Sequence, residues 1–225
     1  LVRLMKYIKQ TVNDKLTLRA DNCHVIKWYV DVAFAVHPDF KSQTGGGMTM
    51  GTGMPINTSR KQKLNTRTSM ESELVGADDM AQMILWTKFF VEGQGYDVKE
   101  NILYQDNKST ILLENNGKRS SGKRTRAINI RCFFLTDQVE KGNLRIEYCP
   151  TAEMNGDYMS KPLQGSLFEK FRSRIMGHGH VLPQESNTGG NRSVLEGTKY
   201  HGASVRPDPG LRTVCTRTIT TSGTE

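Results

Sequence analysis

No stretch of this chain approaches the roughly 20 consecutive apolar residues that a membrane-spanning helix requires, so no helical membrane span and no membrane partner is expected. Cysteine is scarce. The four residues Cys23, Cys132, Cys149 and Cys215 show no C-x-x-C spacing, which argues against a disulfide framework or a thiolate zinc site and fits reduced thiols in an intracellular protein. The start, Leu1-Val2-Arg3-Leu4, lacks an initiator Met and a signal-peptide pattern and reads as an excised or truncated piece. The Gly-rich run Thr44 to Gly53 lacks the Gly-Lys-Ser/Thr ending of a phosphate-cradling loop and precedes no helix signal, so hairpin strands are expected there. No internal repeat is visible.

Acidic residues fall short of basic ones. The 225 residues carry 31 Lys and Arg against 23 Asp and Glu, a net charge of +8. That balance favours a polyanionic partner, nucleic acid or an acidic surface. With 36% hydrophobic and 24% charged residues the chain can build one sizeable core with appendages.

The elements follow from periodicity. Leu1, Leu4, Met5 and Ile8 recur at helical spacing, as at the end of an amphipathic helix. From Cys23 the pattern alternates: Ile26, Trp28, Val30, Val32, Phe34 and Val36 on one face, Lys27, Tyr29, Asp31, Ala33 and Ala35 on the other. A hairpin and a third strand near Pro55 to Lys61 would complete an antiparallel meander. Thr68 followed by Glu71 fits a capping box, and Ala77, Met80, Ala81, Ile84 and Leu85 give the helix behind it an apolar stripe. A short strand (Ile102 to Gln105), a helix ending at Gly117, a second helix from about Ala127 to Glu140, a strand through Leu144, Ile146 and Tyr148 and a closing helix ending at Gly177 follow. This order implies an α/β domain with a mixed sheet. Residues 178–225 are rich in Gly, Ser, Thr and Arg without periodicity and read as a disordered tail.

Four acids stand where a site could form. Asp31 interrupts an otherwise apolar strand, where a buried carboxylate needs a cation or donors. Glu73 shares the apolar stripe of its helix and should face the sheet, whereas Glu71 is occupied by capping and Asp78 and Asp79 look like solvated helix residues. Asp106 closes a strand, a favourable place for a site, although Asp106 or Asn107 could equally cap the next helix. Asp157 follows the last strand and could also be only a cap. Several hard carboxylate oxygens converging would suit the divalent cations that serve phosphodiester hydrolysis.

The order Asp31, Glu73, Asp106, Asp157 on strand, helix, strand end and late helix resembles a ribonuclease H active site. The runs Trp28-Tyr29-Val30-Asp31, Thr44-Gly45-Gly46, Ser59-Arg60-Lys61-Gln62, Ser69-Met70-Glu71-Ser72-Glu73-Leu74, Tyr104-Gln105-Asp106-Asn107 and Gly156-Asp157-Tyr158-Met159-Ser160-Lys161-Pro162-Leu163 resemble, in order, the motifs of copia-type retrotransposon RNase H domains across about residues 24–177. The resemblance implies an RNase H-like fold, a five-stranded mixed sheet with a three-strand antiparallel meander flanked by helices. It divides the chain into the end of a reverse-transcriptase connection (1–22), the RNase H-like domain (23–177) and the tail (178–225).

It also implies an endoribonuclease in which Asp31, Glu73, Asp106 and Asp157 hold two Mg²⁺, or Mn²⁺, and cut the RNA strand of an RNA–DNA hybrid during reverse transcription. The upstream reverse-transcriptase domain would be a partner within the same polyprotein, and the site of action a cytoplasmic virus-like particle or the nucleus. Lys118, Arg119, Lys123, Arg124 and Arg126, with Arg60 and Lys61, become phosphate-contacting candidates. The chain departs from the family at Ala127 and at Cys132-Phe133, where many relatives carry His. A catalytically silent nucleic-acid-binding remnant is therefore the alternative. An integrase of the same fold would carry its last acid as a Glu on a late helix and none on the first helix, which Glu73 and Asp157 oppose.

Overall fold

Hydrophobic alternation in one segment, Val25–Ala33, organises the domain. In the computed structural model, which describes residues 1–116 and 126–178, this strand is the centre of a five-stranded sheet. An N-terminal helix α1 (Val2–Thr11) and a two-residue strand β1 (Arg19–Ala20) precede it as β2 (Val25–Ala33). Strands β3 (Gln43–Thr49), β4 (Gly51–Thr52) and β5 (Ile56–Lys61) lead to the long helix α2 (Ser69–Gly93). Then come β6 (Glu100–Gln105), α3 (Lys108–Asn116), α4 (Arg126–Glu140), β7 (Arg145–Tyr148), a 3₁₀ turn (Thr151–Glu153), α5 (Asp157–Ser160) and α6 (Gly165–Met176).

The sheet runs in the order β5-β3-β2-β6-β7. β2 pairs antiparallel with β3 and parallel with β6, β3 pairs antiparallel with β5, and β6 pairs parallel with β7. This is the RNase H-like arrangement expected, a three-strand meander extended by two parallel strands. The parallel pairs are possible because α2 and the α3–α4 pair supply the crossovers.

Ile26, Trp28 and Val30 of β2 are fully buried against Leu74, Ala77, Ala81 and Ile84 of α2, and Leu103, Leu113, Leu135 and Ile146 continue the same core. Fully burying an aliphatic side chain such as Ile26 or Leu74 contributes about 1.5–3 kcal/mol. The inward alternation stops sooner than the sequence suggests. β2 ends at Ala33, Ala35 adopts φ 52°, and Phe34 and Val36 lie exposed. The turn at Ala35 breaks the two-residue repeat, so those side chains leave the core face.

Residues 1–22 touch the domain at several points. The Thr17 N–H donates to the Met176 carbonyl at 2.9 Å, Arg172 pairs with Asp14 at 2.6 Å, and β1 pairs with β4. Gly177 terminates α6 in the left-handed region at φ 71°, which glycine adopts without the Cβ penalty. Among the described residues no helix is long and apolar enough to cross a membrane. Residues 117–125 and nearly all of the 178–225 tail lie outside the described residues.

Candidate metal centre

Each acid reaches the site through a distinct local device. Asp31 sits on β2 with Gly45 of β3 as its cross-strand partner. Gly45 carries no side chain, and α5 fills the space. A Cβ on Gly45 would lie 2.4 Å from the Ser160 nitrogen and 2.6 Å from the Gly156 carbonyl oxygen. Gly156 is equally close to β2, its notional Cβ being 2.9 Å from the Asp31 nitrogen. The next residue, Gly46, faces Met80 of α2 instead, so α5 and α2 cover opposite faces of the sheet. Two glycines thus let a four-residue helix press Asp157 against the strand that carries Asp31.

Glu73 is placed by the start of α2. Thr68 Oγ1 accepts from the Glu71 N–H at 3.2 Å, while Glu71 accepts from the Arg67 N–H at 2.8 Å. The box therefore closes one residue earlier than the usual cap nitrogen. Buried Gln62 donates to Thr44 Oγ1 and to the Ser72 carbonyl, both at 2.9 Å, and ties the end of β5 to this first turn. Glu73 is left inward and 6% exposed.

Asn107, not Asp106, caps the helix after β6. Its Oδ1 accepts from the Ser109 and Thr110 N–H groups at 3.1 and 3.3 Å. Asp106 is thereby released to the site, where it accepts only from Thr151 Oγ1 at 2.9 Å among the described residues. The two readings left open by the sequence are separated by this division of labour.

Carboxylate oxygens of Asp31, Glu73 and Asp106 all lie within 4.8 Å of one another. Asp157, 3% exposed, joins them through Lys161, whose Nζ is 2.8 Å from Asp157 Oδ1 and 3.2 Å from Asp31 Oδ1. The Ser160 hydroxyl donates to the other Asp31 oxygen. Burial, with the Asp31 and Asp106 charges beside it, pushes the Glu73 carboxyl up to about 9. Burial and the Asp31 charge likewise raise Asp157 to about 6. Burial works against the Lys161 charge, but the hydrogen bond to Asp157 and the field of Asp31 hold it above the ordinary lysine range. Like charges crowded in a dry pocket are costly without added positive charge, and hard oxygen donors in this density suit Mg²⁺ or Mn²⁺.

The basic candidates fare differently. Arg60 and Lys61 end the edge strand β5, and Lys61 is paired with Asp39 at 2.8 Å. They line a cleft of ≈ 610 Å³ with Lys63, Asp78 and Arg131. Lys118, Arg119, Lys123 and Arg124, and the side chains of Arg126 and Ala127, lie outside the described residues. Asp78 and Asp79 are not simply solvated. Arg131 of α4 bridges them at 2.7 and 2.8 Å, locking α4 onto α2. Sequence reasoning assigns no role to Thr151, or to Ser160 and Lys161 within their motif run; the spacing of four between Asp157 and Lys161 is the signal that points to the pair.

No family model matches the chain. The retrovirus-related Pol polyprotein from transposon TNT 1-94 of Nicotiana tabacum is 26% identical over 178 residues, 79% of this chain. That from transposon RE1 of Arabidopsis thaliana is 28% identical over 177 residues, 78% of the chain. Both relatives are retrovirus-related Pol polyproteins from plant transposons. It spans only 13% and 12% of the length of these Pol relatives. Among solved structures, LC11-RNase H1 in complex with RNA/DNA hybrid has a TM-score of 0.44 at 13% identity, covering 60% of this chain and 92% of that one. The prototype foamy virus protease–reverse transcriptase has a TM-score of 0.38 at 8% identity, covering 73% of this chain and 22% of that one.

Proposed function

We propose that this Pol segment is an RNase H-type endoribonuclease, which cuts the RNA strand of RNA–DNA hybrids by two-cation phosphodiester hydrolysis during retrotransposon reverse transcription. The observation that carries this reading is the meeting of Asp31, Glu73 and Asp106 within 4.8 Å, from three elements distant in sequence. Homology to Pol polyproteins supports the setting.

Asp31, Glu73, Asp106 and Asp157 would hold the cations, and the ammonium of Lys161, already lying between two of these acids, stands in for positive charge at that point. When bound, divalent cations supply a water acidic enough to attack at neutral pH and positive charge for the leaving oxygen. The chain's own residues do the positioning. Asp31 shares its two oxygens between neighbours, Glu73 is fixed by the capped first turn of α2, and half-buried Asp106 forms the accessible side of the group. The products would be a 5′-phosphate and a 3′-hydroxyl. RNA would be told from DNA by its 2′-hydroxyls and groove shape. Arg60 and Lys61, and the basic run 118–126, are the proposed phosphate contacts. The reverse-transcriptase region is the proposed neighbour of α1, where Leu4, Met5 and Ile8, with Leu1 just before the helix, are all exposed.

The test is cleavage of a labelled RNA–DNA hybrid by the purified chain, with Mg²⁺ and with EDTA. Cutting of the RNA strand should require Mg²⁺ and fall to background in Asp106→Asn, with hybrid binding and folding retained. Binding of hybrid by a folded chain without cutting would instead identify a silent remnant.

A further inference from the structure

Inside the carboxylate group the chain supplies a cation of its own. Asp31 and Asp157 have side chains only 2% and 4% exposed, yet each is within 3.2 Å of Lys161 Nζ. Ser160 satisfies the second oxygen of Asp31. This half of the group is therefore compensated before any ion arrives. The other half holds no resident cation. Among the described residues neither Glu73 nor Asp106 forms an ion pair, although both converge on Asp31. At Glu73 and Asp106 a divalent cation meets no resident ammonium. At Asp31–Asp157 it meets a resident ammonium that it must displace, because two cations on the same carboxylates repel.

We propose that Lys161 is a built-in counter-ion that makes the two cation positions unequal. The position formed by Asp31, Glu73 and Asp106 fills first. The position between Asp31 and Asp157 fills only as the ammonium swings away. The geometry permits that exit: the Lys161 side chain is 34% exposed on a flexible four-carbon stem, in contrast to the two buried acids it bridges. The phosphate backbone of a bound strand would offer the displaced ammonium a new anionic partner, so occupancy of the second position becomes coupled to the presence of nucleic acid. This inference rests on the two-cation reading above and adds an order of loading to it.

The experiment counts Mn²⁺ ions bound to the full chain, without nucleic acid and at neutral pH, by isothermal titration calorimetry. The wild-type chain should bind one ion well and a second weakly. Lys161→Gln should tighten the second ion at least about tenfold, as expected for removal of one close charge interaction, with a smaller gain at the first. Lys161→Arg, which keeps the charge, should retain the weak second ion. A second-ion affinity that is unchanged or weaker in Lys161→Gln would overturn the proposal and leave Lys161 as a clamp only. Two equally tight ions in the wild type would overturn it too. A folded wild-type chain that binds no Mn²⁺ would overturn the two-cation reading itself. Circular dichroism accompanies each titration. Should Lys161→Gln lose its fold, Lys161→Met, which keeps the apolar stem, is titrated in its place. If both unfold in EDTA, recovery of the fold by Mn²⁺ supports the counter-ion role, and failure to recover overturns it.

Discussion

Replacing Gly45 by Ala probes whether the close seating of α5 builds the site. The added methyl would stand 2.4, 2.6 and 2.7 Å from the Ser160 nitrogen, the Gly156 oxygen and the Met159 carbonyl carbon. All three are backbone atoms, so no side-chain rotation relieves the clash and α5 must retreat by about 1 Å to restore ordinary contact near 3.5 Å. Overpacking of this kind costs about 1–3 kcal/mol. For a domain of this size that lowers the melting temperature by roughly 2–12 °C. The retreat also carries Asp157 and Lys161 away from Asp31, so Mn²⁺ binding should weaken along with stability. Thermal melts in EDTA, with Mn²⁺ titrations on the same samples, measure both. Gly93→Ala is the control, since its Cβ would meet nothing within 4 Å and its position ends α2, so its melting temperature should stay level or rise slightly. A Gly45→Ala chain as stable as the wild type, with unaltered Mn²⁺ affinity, would refute the seating argument.

Other expectations test the same chemistry from different sides. In EDTA, stability should fall as pH rises from about 4.5 to about 9: the folded chain holds a proton on Glu73 that the unfolded chain releases near 4.5, so the unfolded state binds fewer protons across that window. Asp157 adds a fall of the same sign between about 3.8 and about 6. Denaturant melts across pH measure both, Glu73→Gln should remove most of the upper slope, and a flat profile in the wild type would contradict the burial of Glu73. Arg131→Ala leaves the half-buried Asp78 without its partner and should cost about 1–3 kcal/mol in urea unfolding, with Asp78→Asn in the same chain recovering part of it. Trp28→Ala, at the fully buried centre of β2, should cost about 3–5 kcal/mol, and a loss below 1 kcal/mol would displace it from the core.

The local devices were legible in the residues themselves. Thr68 with Glu71 marks the start of α2 because the cap is a short-range hydrogen-bond exchange, and Gly177 marks the end of α6 because one residue must turn left-handed there. The inward placement of Glu73 followed from a stripe repeating every three to four residues. Asp31 stands out because it interrupts an otherwise apolar strand, where a buried carboxylate needs compensation. None of these signals depends on what lies across space.

Tertiary structure decided what does depend on it. Whether Asp106 or Asn107 caps α3 turned on which side chain the end of β6 points at the helix nitrogens, a matter of one residue in register. Asp78 and Asp79 look solvated on an isolated helix and are paired only because α4 brings Arg131 to them. Lys161 is an ordinary basic residue in its own segment; its place between Asp31 and Asp157 exists because Gly45 and Gly156 let α5 lie against the strand. Periodicity and capping are properties of a few consecutive residues. The pairing of charges 130 positions apart is set by the packing that joins them.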